Sequence, residues 1–221
     1  YSSIVNNSEK WNVNVTDIPS PLEIKGNWQI DFRAADNYQA TINTDTLFDW
    51  TTHSTEQIKH YSGTAIYQTT FHIEKGFFKS DRQFELNLGD VNVIAKVILN
   101  GKEIGVSWIA PYTLEVTSAL KEGSNSLEIQ MTNQWTNRLI GDEKLPNQTG
   151  YDVRRSSPGF GDENFRGDNH KMPDWFRNNE PLPDGPRTTF SAYSFQKSTD
   201  ALLPSGLLGP VKIKASKIIF K

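Results

Sequence analysis

The chain has 221 residues, of which 36% are hydrophobic, with six Trp, no Cys and a formal net charge of -3. That length and apolar content can build a sizeable core, which separates the chain from disordered sequences. The absence of Cys excludes disulfides and thiolate metal sites, the mild negative charge leaves no electrostatic footprint for nucleic acid, and no apolar run reaches the roughly 20 residues that cross a bilayer.

Residues 1–25 are polar, and Pro19 and Pro21 favour an extended path, so this stretch reads as a linker or an entering edge strand. The start at Tyr1, with neither an initiator Met nor a signal peptide, reads as an excised module or mature fragment. A β-sandwich domain is expected over 26–221. Its first strand sets Trp28, Ile30 and Phe32 inward, between Gln29, Asp31 and Arg33. Residues 34–62 are irregular, with Leu47, Phe48 and Trp50 docking a loop onto the sandwich. His53 and His60 fall here without a carboxylate at ligand spacing, so no metal is assigned to them.

Gly63 opens a long strand with alternating Ala65, Tyr67, Thr69, Phe71 and Ile73. Phe84, Leu86 and Leu88 make the next, ended by Gly89-Asp90. From Val93 to Trp108 the chain alternates on both sides of Asn100-Gly101, the strongest local signal for a type I′ turn. Closing that turn pairs Val97 with Ile104, Ala95 with Val106 and Val93 with Trp108, which predicts one buried apolar face. Tyr112, Leu114 and Val116 alternate, Ser118 to Lys121 reads as one helical turn, and Leu127, Ile129 and Met131 form another strand.

At Asn133 the periodicity stops, and 133–187 reads as a long irregular insertion, of a kind that tends to be functional. Alternation resumes over 188–195. Ser205 to Pro210 reads as a turn, and Val211, Ile213 and Ala215 lead into a closing strand that ends at Phe220. About nine strands without helix-length 3.6 periodicity give an all-β antiparallel sandwich.

The densest chemistry lies in Asn133-Gln134-Trp135-Thr136-Asn137-Arg138, running on to Asp142-Glu143. Sugar recognition needs an aromatic plane for the C–H face of a pyranose and amide, guanidinium or carboxylate groups for its hydroxyls. Asn133, Trp135, Asn137, Arg138 and Glu143 supply both, with Trp108, Tyr112 and Trp175 as further candidate planes. One platform covering roughly 100 Å² contributes about 2.5 kcal/mol, short of the roughly 4 kcal/mol of a millimolar complex, so polar contacts must add to it. The alternative is structural: Trp135 anchoring the loop, and Arg138 pairing with Asp142 or Glu143. No catalytic residues are assigned. Asp142 and Glu143 are adjacent, as are Asp162 and Glu163, and on extended backbone such neighbours point to opposite faces. There is also no Gly-x-Ser-x-Gly elbow.

Several motifs resemble a known family. Ser62-Gly63-Thr64-Ala65 with Tyr67, Leu88-Gly89-Asp90-Val91 and Ala95 to Gly101 resemble the jelly-roll, galactose-binding-like sugar-binding domain of family 2 glycoside hydrolases, a likeness that continues through Trp108, Pro111-Tyr112, Asn125 and Leu127. Thr132 to Glu143 and Ser205 to Val211 are more particular, and resemble the C-terminal β-sandwich of family 106 α-L-rhamnosidases and their relatives. The resemblance implies a jelly roll serving as an ancillary carbohydrate-binding or structural part of a glycoside hydrolase. Its implied partners are rhamnose- or galactose-containing glycans and the catalytic barrel of the parent enzyme. It also implies a bacterial periplasmic or extracellular setting and no cofactor beyond structural calcium, which related sandwiches carry. A purely structural module packed on the barrel and a free-standing glycosidase stay open as alternatives.

Overall fold

The computed structural model describes residues 18–33, 38–79, 81–151, 172–192 and 196–217. The linker reading before residue 18, the Asp162-Glu163 pair, residues 193–195 and Phe220 lie outside them.

The described residues build twelve strands: β1 (Leu22–Glu23), β2 (Trp28–Arg33), β3 (Gln39–Thr44), β4 (Thr64–Ile73), β5 (Arg82–Asn87), β6 (Asp90–Asn92), β7 (Ile94–Leu99), β8 (Lys102–Ser107), β9 (Thr113–Glu115), β10 (Gly123–Thr132), β11 (Gly206–Gly209) and β12 (Lys212–Lys217). Three short helices accompany them, α1 (Glu56–Lys59), α2 (Thr136–Asp142) and α3 (Asp174–Arg177). One sheet has six strands in the order β3-β2-β4-β10-β7-β8, and the other has four in the order β1-β12-β5-β9. β6 and β11 form a small ribbon. All strand pairings are antiparallel. This is the expected all-β sandwich.

The alternation read from the sequence fills its core. Trp28, Ile30 and Phe32 of β2, Ala65, Tyr67 and Ile73 of β4, and Leu127, Ile129 and Met131 of β10 are all buried, and Phe84, Leu86 and Ile213 cover them from the second sheet. The loop before α1 contributes more than a lid. Trp50 is fully buried, lies edge-on to Phe32 and Tyr61 with ring centroids 5.3 Å away, and donates its indole N–H to Tyr67 Oη at 2.6 Å. That bond answers the need of a buried indole for an acceptor.

Four local expectations require correction. The β7–β8 turn is as predicted, with φ of 53° at Asn100 and 78° at Gly101, and Leu99 faces Lys102. Beyond it Ile104 is an extra residue, so Val97 pairs with Gly105 and Ala95 with Ser107. This β-bulge is accommodated at Gly105, whose φ of 153° disfavours a side chain. It turns Ser107 inward and leaves Val106 and Trp108 exposed, reversing the predicted apolar face. Second, residues 39–44 are not loop but strand β3, paired with β2. Third, Gly206–Gly209 is strand β11 rather than turn alone. Fourth, the irregular insertion contains α2 and α3, while residues 188–191 carry no strand.

Candidate functional site at the α2 end of the sandwich

β10 delivers its last residues to one end of the sandwich, where α2 begins. Asn133 is tied down on both atoms of its amide. Its Oδ1 accepts from Gly63 N at 3.0 Å, and its Nδ2 donates to Tyr61 O at 2.8 Å and Ser205 Oγ at 3.1 Å. Asn137, the second residue of α2, is 2% exposed. It donates to Leu203 O at 2.7 Å and Ser205 Oγ at 3.0 Å, and accepts from Leu203 N at 2.8 Å. The two amides therefore clamp the 203–205 segment to the end of the sandwich, with Asn137 satisfying the Leu203 backbone while Trp50 N and Asp49 Oδ1 satisfy that of Ser205.

The charged residues of α2 are also engaged internally. Arg138 Nη1 lies 3.8 Å from Asp142 Oδ1, and both residues are buried. Asp142 Oδ2 accepts from Thr188 N at 3.0 Å, Thr189 N at 2.8 Å and Thr189 Oγ1 at 2.7 Å. Arg138 Nη2 and Asp142 Oδ1 are buried without a hydrogen-bond partner. Glu143 Oε1 is 3.3 Å from Arg187 Nη1, and Arg187 Nε donates to Leu145 O at 3.0 Å. Neither carboxylate is presented to solvent as a general acid or nucleophile. The helix also rests on His60 of the turn after α1: a Cβ added at Gly141 would lie 2.8 Å from the imidazole Cγ. Burial, the largest influence, holds His60 below the usual histidine range, and Lys144 Nζ, 3.2 Å from Nε2, acts in the same direction against the opposing pull of Glu56.

The expected sugar contacts thus meet a different arrangement. Asn133, Trp135, Asn137, Arg138 and Glu143 are brought together on and around α2, but the four polar side chains bind their own protein. Trp135 remains outward, 55% exposed, and Leu203 beside the Asn137 clamp is also exposed. Tyr112 lies before β9 in the opposite sheet, half-buried against the core. Trp175, on α3, is half-buried, donates to Thr149 O at 2.9 Å and stacks edge-on with Phe190. Among the described residues no group of three or more His, Asp or Glu side chains gathers to hold a metal ion, so calcium finds no carboxylate cage there.

Two features of this molecule escaped the sequence. One is α2 itself, whose buried positions Asn137, Arg138, Ile140, Gly141 and Asp142 are mostly polar or small and give no apolar stripe. Its only local signal is the Arg138–Asp142 spacing of four residues. The other is a trough of about 1020 Å³ at the six-stranded sheet, lined by residues of β3, β2, β4, β10 and β7 and of the turns beside them.

The two-sheet sandwich, with an exposed indole at its α2 end, has the architecture of a galactose-binding-like accessory domain. Residues 11–172 match the model of the family described as glycosyl hydrolase 2 galactose-binding domain-like, and the chain belongs to that family. A protein of Formosa agariphila named "Putative beta-glucuronidase" is 44% identical over 199 residues, which are 90% of this chain and 16% of that protein. The structure of a rhamnosidase from Novosphingobium sp. PP1Y superposes with a TM-score of 0.61 at 27% identity, over 90% of this chain and 15% of that one. The chain therefore spans about one-sixth of the length of these relatives.

Proposed function

We propose that the chain is an ancillary, non-catalytic β-sandwich of a larger, α-L-rhamnosidase-like glycoside hydrolase, and that its α2 end docks on the catalytic domain and shapes the edge of the sugar cleft. The carrying observation is Trp135: an exposed indole at the N-cap of α2, beside Asn133 and Asn137 whose amides are bound to their own chain, so the ring is presented on a fixed base. The family and the sixfold longer relatives support this reading. Rhamnose- or galactose-containing plant or microbial polysaccharides are the substrates proposed for the parent, in the periplasm or outside a bacterial cell.

A second reading, direct sugar contact at the same rim, has one observation in its favour. A cavity of about 150 Å³ lined by Asn92, Gln134, Thr136 and Leu203 adjoins Trp135, and the Asn92 Nδ2 is buried without a partner. Tryptophan fluorescence separates the two. Docking predicts that Trp135 is shielded from acrylamide only in the full-length polypeptide, and that Trp135→Ala lowers the parent's melting temperature but not that of this chain alone. A saturable emission change with rhamnose, galactose or pectic oligosaccharides, lost in Trp135→Ala, would establish the sugar reading instead.

A further inference from the structure

The outer face of the six-stranded sheet carries a second arrangement, remote in sequence from α2. Register places Asn43, Gln29, Gln68, Glu128 and Ile98 in one row across β3, β2, β4, β10 and β7. Four strand spacings of about 4.8 Å make this row roughly 19 Å long, more than one sugar ring. Thr70 and Ser126 flank it, and the row forms the floor of the trough of about 1020 Å³.

The chemistry of the row narrows its occupant. Gln68 Nε2 donates to Glu128 Oε2 and Gln130 Nε2 to Glu128 Oε1, both at 2.9 Å, while Gln29 Nε2 donates to Asp31 Oδ2 at 3.0 Å. These bonds restrain the amides of Gln29 and Gln68, whose side chains are exposed on the sheet surface with their carbonyl oxygens still able to accept. Among the described residues the side chains of Asn43, Thr70 and Ser126 hold no protein partner. A protein-docking face would present an exposed apolar centre; in the row itself Ile98 is the single apolar side chain, and Trp28 and Leu127, which also border the trough, are buried in the core. A nucleic-acid track would need Lys or Arg. The trough lining contains none and does contain Asp45 and Glu128. The nearest cation in the neighbouring row, Lys96, is held 2.7 Å from Glu103. What remains is a ligand whose groups both donate and accept, which is extended, and which carries no negative charge.

We infer that this concave sheet face is a binding track for a neutral polysaccharide chain laid across the strands, and that it discriminates against acidic glycans. Hydroxyls pair with the fixed amides and free hydroxyls of the row, and Ile98 meets a C–H face. Without an aromatic platform the affinity rests on several hydrogen bonds, each modest in water.

Side-chain amide resonances of the purified chain test this directly. The probes are β-1,4-galactotetraose, cellotetraose and a neutral rhamnose-containing tetrasaccharide, set against tetragalacturonate. At least one neutral probe should shift the Gln29, Asn43 and Gln68 amides saturably. Tetragalacturonate should bind roughly tenfold more weakly at low salt, with the gap closing as salt screens Asp45 and Glu128. Gln29→Ala with Gln68→Ala should weaken binding about fivefold or more while leaving the melting curve unchanged, since both side chains are exposed. Glu128→Gln should narrow the acidic penalty. Shifts confined to α2, equal binding of tetragalacturonate, or no amide shift with any of the three neutral probes would overturn the inference. A missing amide shift leaves docking through Trp135 untouched, whereas shifts confined to α2 would in addition favour sugar contact at that rim over docking.

Discussion

A single carboxylate oxygen of Asp142 accepts from the backbone of both Thr188 and Thr189, and its other oxygen faces the buried Arg138. Removing it frees two backbone N–H groups and strands a guanidinium in the interior. Asp142→Ala should therefore cost about 3–5 kcal/mol in denaturant unfolding, more than removal of an exposed ion pair such as Arg177–Asp174, worth about 0–1 kcal/mol. Gly141 is required by contact and not by backbone angle. A methyl there meets the His60 ring at 2.8 Å, and Gly141→Ala should lower stability by about 1–3 kcal/mol, visible as a reduced melting temperature. At this scale the sequence located a polar cluster, and the structure shows how its members are held by their own chain. Asn133, Asn137, Arg138 and Glu143 have the composition of a sugar site and of a polar clamp alike, because both need fixed donors and acceptors. Only the position of the 203–205 segment, some 66 residues away from Asn137 along the chain, decides between them.

The joint between α1 and α2 makes the stability of the end depend on pH. His60 is held neutral by burial and therefore has a lowered affinity for protons when folded, whereas in the unfolded chain it titrates at its ordinary value of 6.5. Between these two values the unfolded state binds more protons, so the contribution of His60 is complete above pH 6.5 and is lost as pH falls below it. Glu56, Lys59 and Lys144 surround the ring and set the residual balance. Melting temperatures taken across that range should drop less steeply on acidification for His60→Gln than for the parent sequence. An equal slope would show that other groups dominate. Among the strands, those with unbroken alternation were legible in place and in facing: β2, β4 and β10 bury the side chains expected. β8 was not, because Gly105 admits one surplus residue and so inverts every side chain after it. β3 was missed because its Ala40 and Ile42 are only half-buried beneath the loop, too weak an alternation among polar neighbours.

Taken whole, the molecule shows why fold class was accessible and the sheet face was not. Alternation tells which side chains point outward but not which strands become neighbours. Gln29, Gln68 and Glu128 align only because β4 lies between β2 and β10, an order with no local signature. The family motifs carried the architecture further than periodicity could, since Leu88 to Val91 and Ser205 to Val211 come together as the β6–β11 ribbon.

The bulge in β8 has a practical consequence. It ends the six-stranded sheet in a strand that β9 approaches but to which no further strand is hydrogen-bonded among the described residues, and whose Val106 is turned to water, 48% exposed, with Trp108 just beyond its end. Lys102 and Glu103 guard only the tip of the hairpin. Separated from whatever covers this margin, the chain should self-associate edge to edge as its concentration rises, giving sedimentation coefficients that climb on concentration and fall on dilution. Val106→Lys, a charge placed on the bare edge, should keep it monomeric, and would be the variant of choice for crystallisation or spectroscopy.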